Sequence, residues 1–389
     1  MKRIGIITLF LLFSFVSESL SQPVSGTQVF LITCGPGAET YSHYGHSALR
    51  VVIPEKNFDT IYNWGIFDFS TPNFAWKFAK GRLEYWLGAE SVPRFLSYYN
   101  YEKRYVIQQK VNLDSAEVSV LLSLISENLK PENASYKYDF FYDDCSTRIR
   151  DLFEKAVGEK LIYPPDAKDE MPTFRDLTDK YQSSYPWLKF GIDLIMGSPG
   201  EKRADFRERM FLPLDLKDGL SQTLINRDGA MVPLLSEPLV LLDFPPLEVK
   251  SRLLSSPVAV LSLLLLAVII FTFKIKNKTI IRRVDIILFF IFSLLSILMI
   301  FFNYFSDHIQ MQKNLNLVWL NPIIIVCLAL LILNRKGIIW FRILFGISGA
   351  FLLIHLLLPQ EFNVAFIPLV LILLLRSAVR SEYKVLTNI

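Results

Sequence analysis

The apolar residues of this chain are concentrated at its two ends. At the start, two basic residues precede the apolar run Ile4–Val16 and a few small residues, a pattern typical of a signal peptide over residues 1–21. Towards the end, five apolar runs are separated by short polar gaps: 253–273, 284–302, 317–333, 338–358 and 362–375. The first four are close to the ~20 residues that cross a bilayer as a helix. The pattern predicts an α-helical membrane domain of about five spans over residues 251–389.

Between these ends, the pattern changes between strand-like and helix-like periods. Three runs of apolar and β-branched residues predict a small antiparallel sheet: Gln28–Thr33, Ser47–Ile53 and Thr60–Gly65. Aromatic residues at helical spacing predict a helix or a helix pair over Asn73–Leu87, and Val111–Leu129 predicts another helix. The mixture indicates an α+β domain over residues 22–250.

Prolines interrupt much of the region from residue 158 to residue 250, which contains one notable apolar stretch, Trp187–Met196. Ten residues are too few to span a bilayer. The stretch is therefore either part of the domain core or an interfacial helix whose apolar face meets lipid.

Composition supports the membrane prediction, because 52% of the 389 residues are hydrophobic and the mean hydropathy is +0.34. Basic residues crowd the gaps after the first and third predicted spans and the segment after the last, whereas the other two gaps are nearly free of them. Since cytoplasmic loops carry the excess of Lys and Arg, we expect the N-terminal domain outside and the C-terminus in the cytoplasm. Acidic residues outnumber basic ones from residue 22 to residue 250, so the net charge of +4 does not indicate nucleic-acid binding.

The candidate chemistry centres on Cys145, which follows Asp144 at the predicted start of a helix. The N–H groups and the dipole of a helix N-terminus stabilise a thiolate, and Arg148 and Arg150 add positive potential. The pattern therefore predicts an ionised Cys145 that attacks carbonyl carbons.

A cysteine nucleophile needs a base, and the chain has four histidines. His46 is our first choice because it follows Gly45 directly and enters the second predicted strand. His43 lies three residues earlier and could shape the pocket or replace His46. A third polar group should orient the imidazole, with Asn63 on the adjacent strand as the first choice and Asp68 as the second.

Three motifs together resemble the Lnb-type lipoprotein N-acyltransferases of Bacteroidota: Gly-His-Ser-Ala-Leu-Arg at 45–50, Tyr-Asn-Trp-Gly at 62–65 followed by Phe-Asp-Phe at 67–69, and the segment 140–151 around Cys145. The resemblance implies a papain-like (permuted NlpC-type) periplasmic domain followed by transmembrane helices in the bacterial inner membrane. It implies Cys145 as nucleophile and His46 as base, with no metal or cofactor. The implied reaction moves an acyl chain from a membrane phospholipid, through a thioester, to the α-amine of the N-terminal cysteine of a diacylated lipoprotein.

Transfer through a thioester requires a lining that excludes water. We expect five aromatic residues to supply it: Phe74, Phe78, Trp86, Trp187 and Phe190.

The motif departs from the expected family pattern at one position, where Asp144 stands in place of an asparagine. Its carboxylate would oppose thiolate formation unless Arg148 or Arg150 neutralises it.

Two other functions fit the same residues. A membrane-tethered cysteine peptidase or amidase acting on cell-wall peptide would use the same Cys and His pair, but would need little from the spans beyond one anchor. In a non-catalytic module, Cys145 would be a structural residue or would form a disulfide with Cys34, since exported domains meet an oxidising compartment.

Overall fold

The computed structural model describes residues 26–166, 171–246 and 253–381. The predicted signal peptide and the predicted domain boundary near residue 250 lie outside these described residues. The chain forms two compact units. The first contains the described residues up to Leu177 and resumes at Arg203; the second contains Thr178–Lys202 and the described residues from Leu253 onward.

The first unit contains two antiparallel sheets. Its strands are β1 (Gln28–Cys34), β2 (His46–Ile53), β3 (Phe58–Ile66), β4 (Glu84–Ser91), β5 (Val106–Lys110), β6 (Ser135–Lys137), β7 (Leu161–Ile162), β8 (Leu224–Arg227), β9 (Ala230–Pro233) and β10 (Leu239–Leu242). Seven of them form one sheet in the order β10-β5-β1-β2-β3-β4-β6, and β7-β8-β9 form the other. The predicted antiparallel sheet is confirmed as the centre of the larger one, with Cys34 opposite His46 and Ala48 opposite Asn63.

The helices that precede the membrane region are α1 (Phe74–Ala79), α2 (Val92–Tyr101), α3 (Ser115–Leu129), α4 (Cys145–Val157), α5 (Phe174–Gln182), α6 (Pro186–Ile195) and α7 (Pro213–Gln222). Helix α3 begins where Asp114 and Glu117 exchange side-chain and backbone hydrogen bonds in a capping box. Apolar residues of α3 and α4, among them Leu122 and Phe153, pack with Leu49 of β2 in one buried core. Each such side chain contributes about 1.5–3 kcal/mol by leaving water, so this core fixes α4 against the sheet.

The prediction for Asn73–Leu87 is right for α1 and wrong from residue 84 onward. Gly81, with a φ of 70°, redirects the chain after α1. The following residues alternate, with Tyr85 and Leu87 buried and Trp86 less so, as expected of a strand. Pairing of β4 with β3 overrides the helical spacing of the aromatic residues.

The second unit contains α8 (Pro257–Lys274), α9 (Lys278–Tyr304), α10 (Ile323–Ile332), α11 (Ile338–Ile354) and α12 (Phe366–Arg380). Among the described residues, four helical segments are long and apolar enough to cross a membrane: Pro257–Lys274, Lys278–Tyr304, Leu315–Ile332 and Ile338–Leu357. Helix α12 has 15 residues, fewer than the ~20 that span a bilayer. The fifth span stays a prediction.

A buried ionic cluster joins three of these helices. Arg376 of α12 forms two hydrogen bonds with the carboxylate of Asp285 on α9, at 2.7 and 3.1 Å, and Arg380 adds a third at 2.6 Å. Arg376 also donates to the hydroxyl of Thr272 on α8. Asp285 is fully buried, so the cluster compensates a carboxylate that would be costly alone.

Helix α6, which contains most of the apolar stretch Trp187–Met196, belongs to the second unit and not to the core of the N-terminal domain. The Asn314 amide donates to the Leu194 carbonyl at 2.8 Å, and the Asn363 amide donates to the Asp193 carboxylate at 2.7 Å. Polar side chains of the membrane unit therefore hold this helix through its backbone and through Asp193.

Candidate active site

Cys145 is the first residue of α4, as the sequence predicts. The Asp144 carboxylate accepts the backbone N–H groups of Ser146 and Thr147, both at 2.8 Å, and the Asp144 N–H donates to the Thr147 hydroxyl. This reciprocal cap fixes the start of the helix. It also means that two N–H groups of the first turn bind Asp144 and not the sulfur.

The Cys145 sulfur lies in a nearly closed environment, with the residue 7% exposed. Burial raises the pKa of the thiol, and hydrogen bonds from the Ser47 backbone N–H, the Ser146 hydroxyl and the Tyr138 hydroxyl act in the opposite direction. Burial prevails, so the neutral thiol is the resting form at neutral pH. The predicted resting thiolate is therefore wrong.

The two arginines near the cysteine have other partners. Arg148 forms two hydrogen bonds with the Asp143 carboxylate, at 2.6 and 2.9 Å, and its guanidinium stacks 3.4 Å from the centroid of the Tyr136 ring. Arg150 binds Asp151. Both arginines therefore pair with carboxylates other than Asp144. Instead, burial raises the pKa of Asp144 well above its usual range, which favours an uncharged carboxyl beside the sulfur.

His46 is the first residue of β2 and belongs to a hydrogen-bonded chain across three strands. Its Nε2 lies 3.0 Å from the Asn63 Oδ1 on β3, and the Asn63 Nδ2 donates to the Glu90 carboxylate on β4 at 2.9 Å. A carboxylate only accepts, so the Asn63 amide must turn its oxygen towards His46, and Nε2 must carry the proton. Nδ1 is then the nitrogen with a free lone pair, which is the state a general base requires.

The other candidate orienter, Asp68, does not reach His46. It is exposed, and its two carboxylate oxygens accept the backbone N–H and the hydroxyl of Ser70 in a local turn. The geometry therefore favours Asn63.

Burial lowers the pKa of His46 to about 4, assisted by the charge of Arg104, while Asn63 and Glu90 act in the opposite direction. Arg104 is 3% exposed, donates from Nε to the Gly35 carbonyl at 2.7 Å and stacks on the Tyr99 ring. Its charge adds to the effect of burial in favouring the neutral form of His46. Sequence reasoning missed both Glu90 and Arg104, since neither lies in a motif near His46.

His43 has a structural place in the turn before β2. It is buried, and its Nδ1 donates to the Gly37 carbonyl at 3.0 Å. Gly45, two residues after His43 in the same turn, has a φ of 85°, and a Cβ there would lie 2.7 Å from the Cys34 carbonyl oxygen. Only glycine suits that position. The turn that Gly45 allows places His46 at the start of β2, at one end of the sheet.

The starts of β2 and α4 meet directly. The backbone N–H of Ser47, the residue after His46, bonds to the Cys145 sulfur, and the hydroxyls of Ser47 and Ser146 lie 3.4 Å apart. Gly65 of β3 lies beside them: a Cβ there would lie 4.0 Å from the Cys145 Cβ and 3.3 Å from the Tyr138 ring, and its φ of 89° favours glycine. The cysteine and the strand that begins with His46 thus occupy one end of the sheet.

Cys34 and Cys145 are both free thiols. The structure therefore contradicts the disulfide form of the non-catalytic alternative.

Aromatic rings continue from the sulfur towards the surface of the first unit. Tyr138, whose hydroxyl bonds to Cys145, lies 5.6 Å from Phe140, measured between ring centroids. Phe140 lies 6.3 Å from Phe78, which stacks on Phe74 at 6.2 Å. Two of the five predicted lining residues therefore belong to a path of rings that reaches the nucleophile.

The other three predicted lining residues belong to β4 and α6. Trp86 is on the face of β4 opposite Tyr85, since neighbouring strand residues point to opposite sides. Trp187 and Phe190 belong to the second unit, where they contact the Ser255 carbonyl and the Phe366 ring. Sequence reasoning missed Tyr138, which stands seven residues before Cys145 among several aromatic residues.

No group of three or more His, Cys, Asp or Glu side chains is arranged to hold a metal ion within the described ranges.

Two family models match the chain. The Lnb N-terminal periplasmic domain matches residues 21–180, which include Cys145, His46 and Asn63, and the Lnb transmembrane domain matches residues 248–385. No curated protein and no solved structure matches it. The two matched ranges make up most of the sequence, in the order and position of the two predicted domains. The chain therefore belongs to the Lnb family, with a periplasmic N-terminal domain and a C-terminal transmembrane domain.

Proposed function

We propose that this protein is a lipoprotein N-acyltransferase in which Cys145 is the nucleophile, His46 the general base and Asn63 the residue that orients the base. The observation that carries the proposal is the chain from His46 through Asn63 to Glu90, because it presents a neutral imidazole with a free Nδ1 at the end of the sheet where Cys145 lies.

In the first half-reaction, His46 Nδ1 takes the thiol proton as the Cys145 sulfur attacks the carbonyl carbon of a phospholipid ester. A raised thiol pKa and a lowered imidazole pKa disfavour the ion pair at rest, so proton transfer accompanies attack. The Tyr138 hydroxyl and the first backbone N–H of α4 are the proposed donors to the oxyanion. Collapse breaks the ester C–O bond, His46 returns the proton to the leaving oxygen, and a lysophospholipid departs from the thioester.

In the second half-reaction, the α-amine of a diacylated lipoprotein attacks the thioester carbonyl. Such an amine has an ordinary pKa of ~7.7–8.0 and is partly neutral at working pH. His46 accepts the proton lost by the nitrogen and delivers it to the departing sulfur, so an amide forms and the thiol is restored. The ring path of Phe74, Phe78 and Phe140 supports the proposal, because apolar walls keep water from the thioester.

The proposal includes the location of the chemistry. We propose the inner membrane with the C-terminus in the cytoplasm, on the basis of the basic residues between the spans. Both substrates would then be anchored in the same bilayer as the enzyme, which raises their effective concentration.

A peptidase or amidase acting on cell-wall peptide is the competing function, and one experiment separates the two. Full-length protein in vesicles is incubated with phospholipid alone and its intact mass is measured. We expect one added acyl group that hydroxylamine removes, and no adduct on Cys145→Ala. Cleavage of cell-wall peptide, with no acyl adduct at any time, would replace the proposal with the hydrolase.

A further inference from the structure

Large aromatic side chains are exposed together on the first unit, close to the outer end of the ring path. We call Tyr41, Phe69 and Trp76 the aromatic rim; they are 54%, 64% and 58% exposed. Tyr41 lies 6.2 Å from Phe69, and Phe69 lies 5.1 Å from Phe74, between ring centroids. Two of the rim rings therefore join the path directly. Trp76 is exposed on the same helix, α1, two residues from Phe74 and from Phe78, and so on a different side of the helix from these two stacked rings.

An exposed cluster of this kind needs an explanation, because isolated apolar residues are normal on surfaces whereas contiguous patches mark interaction sites. Tyr and Trp combine an apolar ring with a polar group, which suits them to the boundary between lipid and water. The rim has both types.

The charge of the same segment identifies the surface that the rim fits. From residue 68 to residue 84 the chain carries three basic residues, Lys77, Lys80 and Arg82, and two acidic ones, Asp68 and Glu84, at its two ends, so the basic residues are in excess on α1 and just after it. The Lys80 ammonium lies 5.6 Å from the centroid of the Trp76 ring. Cations beside aromatic rings complement anionic headgroups above an apolar layer.

We propose that the aromatic rim inserts into the outer face of the bilayer, with Lys77 and Lys80 at anionic phospholipid headgroups, and that it admits acyl chains to the ring path. The inference rests on the proposed function for the fate of the acyl chain, but docking itself does not require catalysis. The bilayer is the occupant because the same chain carries the transmembrane domain. The ring path from Phe78 through Phe140 to Tyr138 leads from this surface to Cys145.

Fluorescence of the full-length protein in vesicles tests insertion without reference to activity. The difference between the wild type and Trp76→Phe isolates the emission of Trp76 from that of the other five tryptophans. We expect phospholipids brominated on their acyl chains to remove more than half of this difference signal. An unquenched Trp76 in protein whose spans are inserted would overturn docking.

Acyl loading of Cys145 tests whether the aromatic rim admits acyl chains from the bilayer to the ring path. The Phe69→Ser, Trp76→Ser double variant should lower the ratio of loading from bilayer phospholipid to loading from a water-soluble short-chain ester by at least tenfold. The matched control is Met231→Ser, another exposed apolar residue, 53% exposed on β9, which should leave the ratio within twofold. An unchanged ratio in the double variant would overturn delivery through the rim.

Charge reversal gives a second test that spares the aromatic residues. Lys77→Glu, Lys80→Glu should lose several-fold in loading from vesicles rich in phosphatidylglycerol and little from vesicles of phosphatidylcholine. Equal loss in both would contradict the headgroup assignment. If the wild type forms no Cys145 adduct with any donor, the proposed function fails, and the quenching result still decides docking.

Discussion

Replacing Asn63 with alanine removes the hydrogen bond that holds the His46 imidazole. The bond is 3.0 Å long and lies in a nearly closed site. Its loss leaves the Nε2 proton without this partner and the orientation of the ring unfixed. A buried hydrogen bond of this kind contributes about 1–3 kcal/mol, so the acylation step should slow by about 5- to 150-fold.

The assay is a single-turnover measurement of Cys145 acylation, read as intact mass against time. Asp68→Ala is the matched control, because it removes a nearby carboxylate that binds only its own turn, and it should change the rate by less than about twofold. An Asn63→Ala variant that acylates at the wild-type rate would refute the role of Asn63. A decrease in rate of the same size in Asp68→Ala would show that the assay reports general damage to this part of the domain and not the role of Asn63.

Four further predictions concern the site and the membrane unit. Because the pKa of His46 is lowered to about 4, the acylation rate should stay level from pH 7 to about pH 5 and fall only near pH 4; a fall centred at pH 6.5 would contradict the buried base. As the pH falls, His46 is protonated at a higher pH in the unfolded chain than in the folded protein, because its pKa is lowered only in the folded protein. The contribution of His46 to the free energy of unfolding should therefore decrease as the pH drops from 6.5 to 4. His46→Phe should remove this pH dependence in denaturant titrations. His46→Ala should abolish acylation, whereas His43→Ala should retain a measurable rate in the same assay; the reverse ranking would reassign the base. Asp285→Ala leaves the buried Arg376 without its partner and should destabilise the membrane unit by about 3–5 kcal/mol, with a lower thermal midpoint; no change in the midpoint would show that the ionic cluster contributes nothing.

The parts of the fold that the sequence predicts are those with local causes. The three central strands stand between turn residues such as Gly35 and Gly45, and α4 begins at a capping aspartate, so a short window contains the signal. Strand β4 was not predicted from the sequence, because its conformation depends on pairing with β3 and its aromatic residues fit a helical period equally well.

The missed features of the site depend on contacts between distant residues. Glu90 fixes the orientation of Asn63 across 27 positions of sequence, and Arg104 donates to Gly35 across 69. The predicted thiolate failed because the sequence shows the helix start but not how completely the first unit closes over it. The sequence also did not show that α6 belongs to the second unit, since its partners Ser255, Asn314 and Asn316 lie 68 to 123 positions later.

The most direct test of the central claim follows one labelled acyl chain through Cys145. Full-length protein in vesicles is loaded from phospholipid with an isotope-labelled chain and then mixed with a diacylated lipopeptide that has a free N-terminal amine. The account predicts that the label appears first on the peptide that contains Cys145 and then, in equal amount, as an amide on the lipopeptide, with no transfer in Cys145→Ala. Label that reaches the lipopeptide in Cys145→Ala, or that remains on Cys145 when the amine is present, would contradict it.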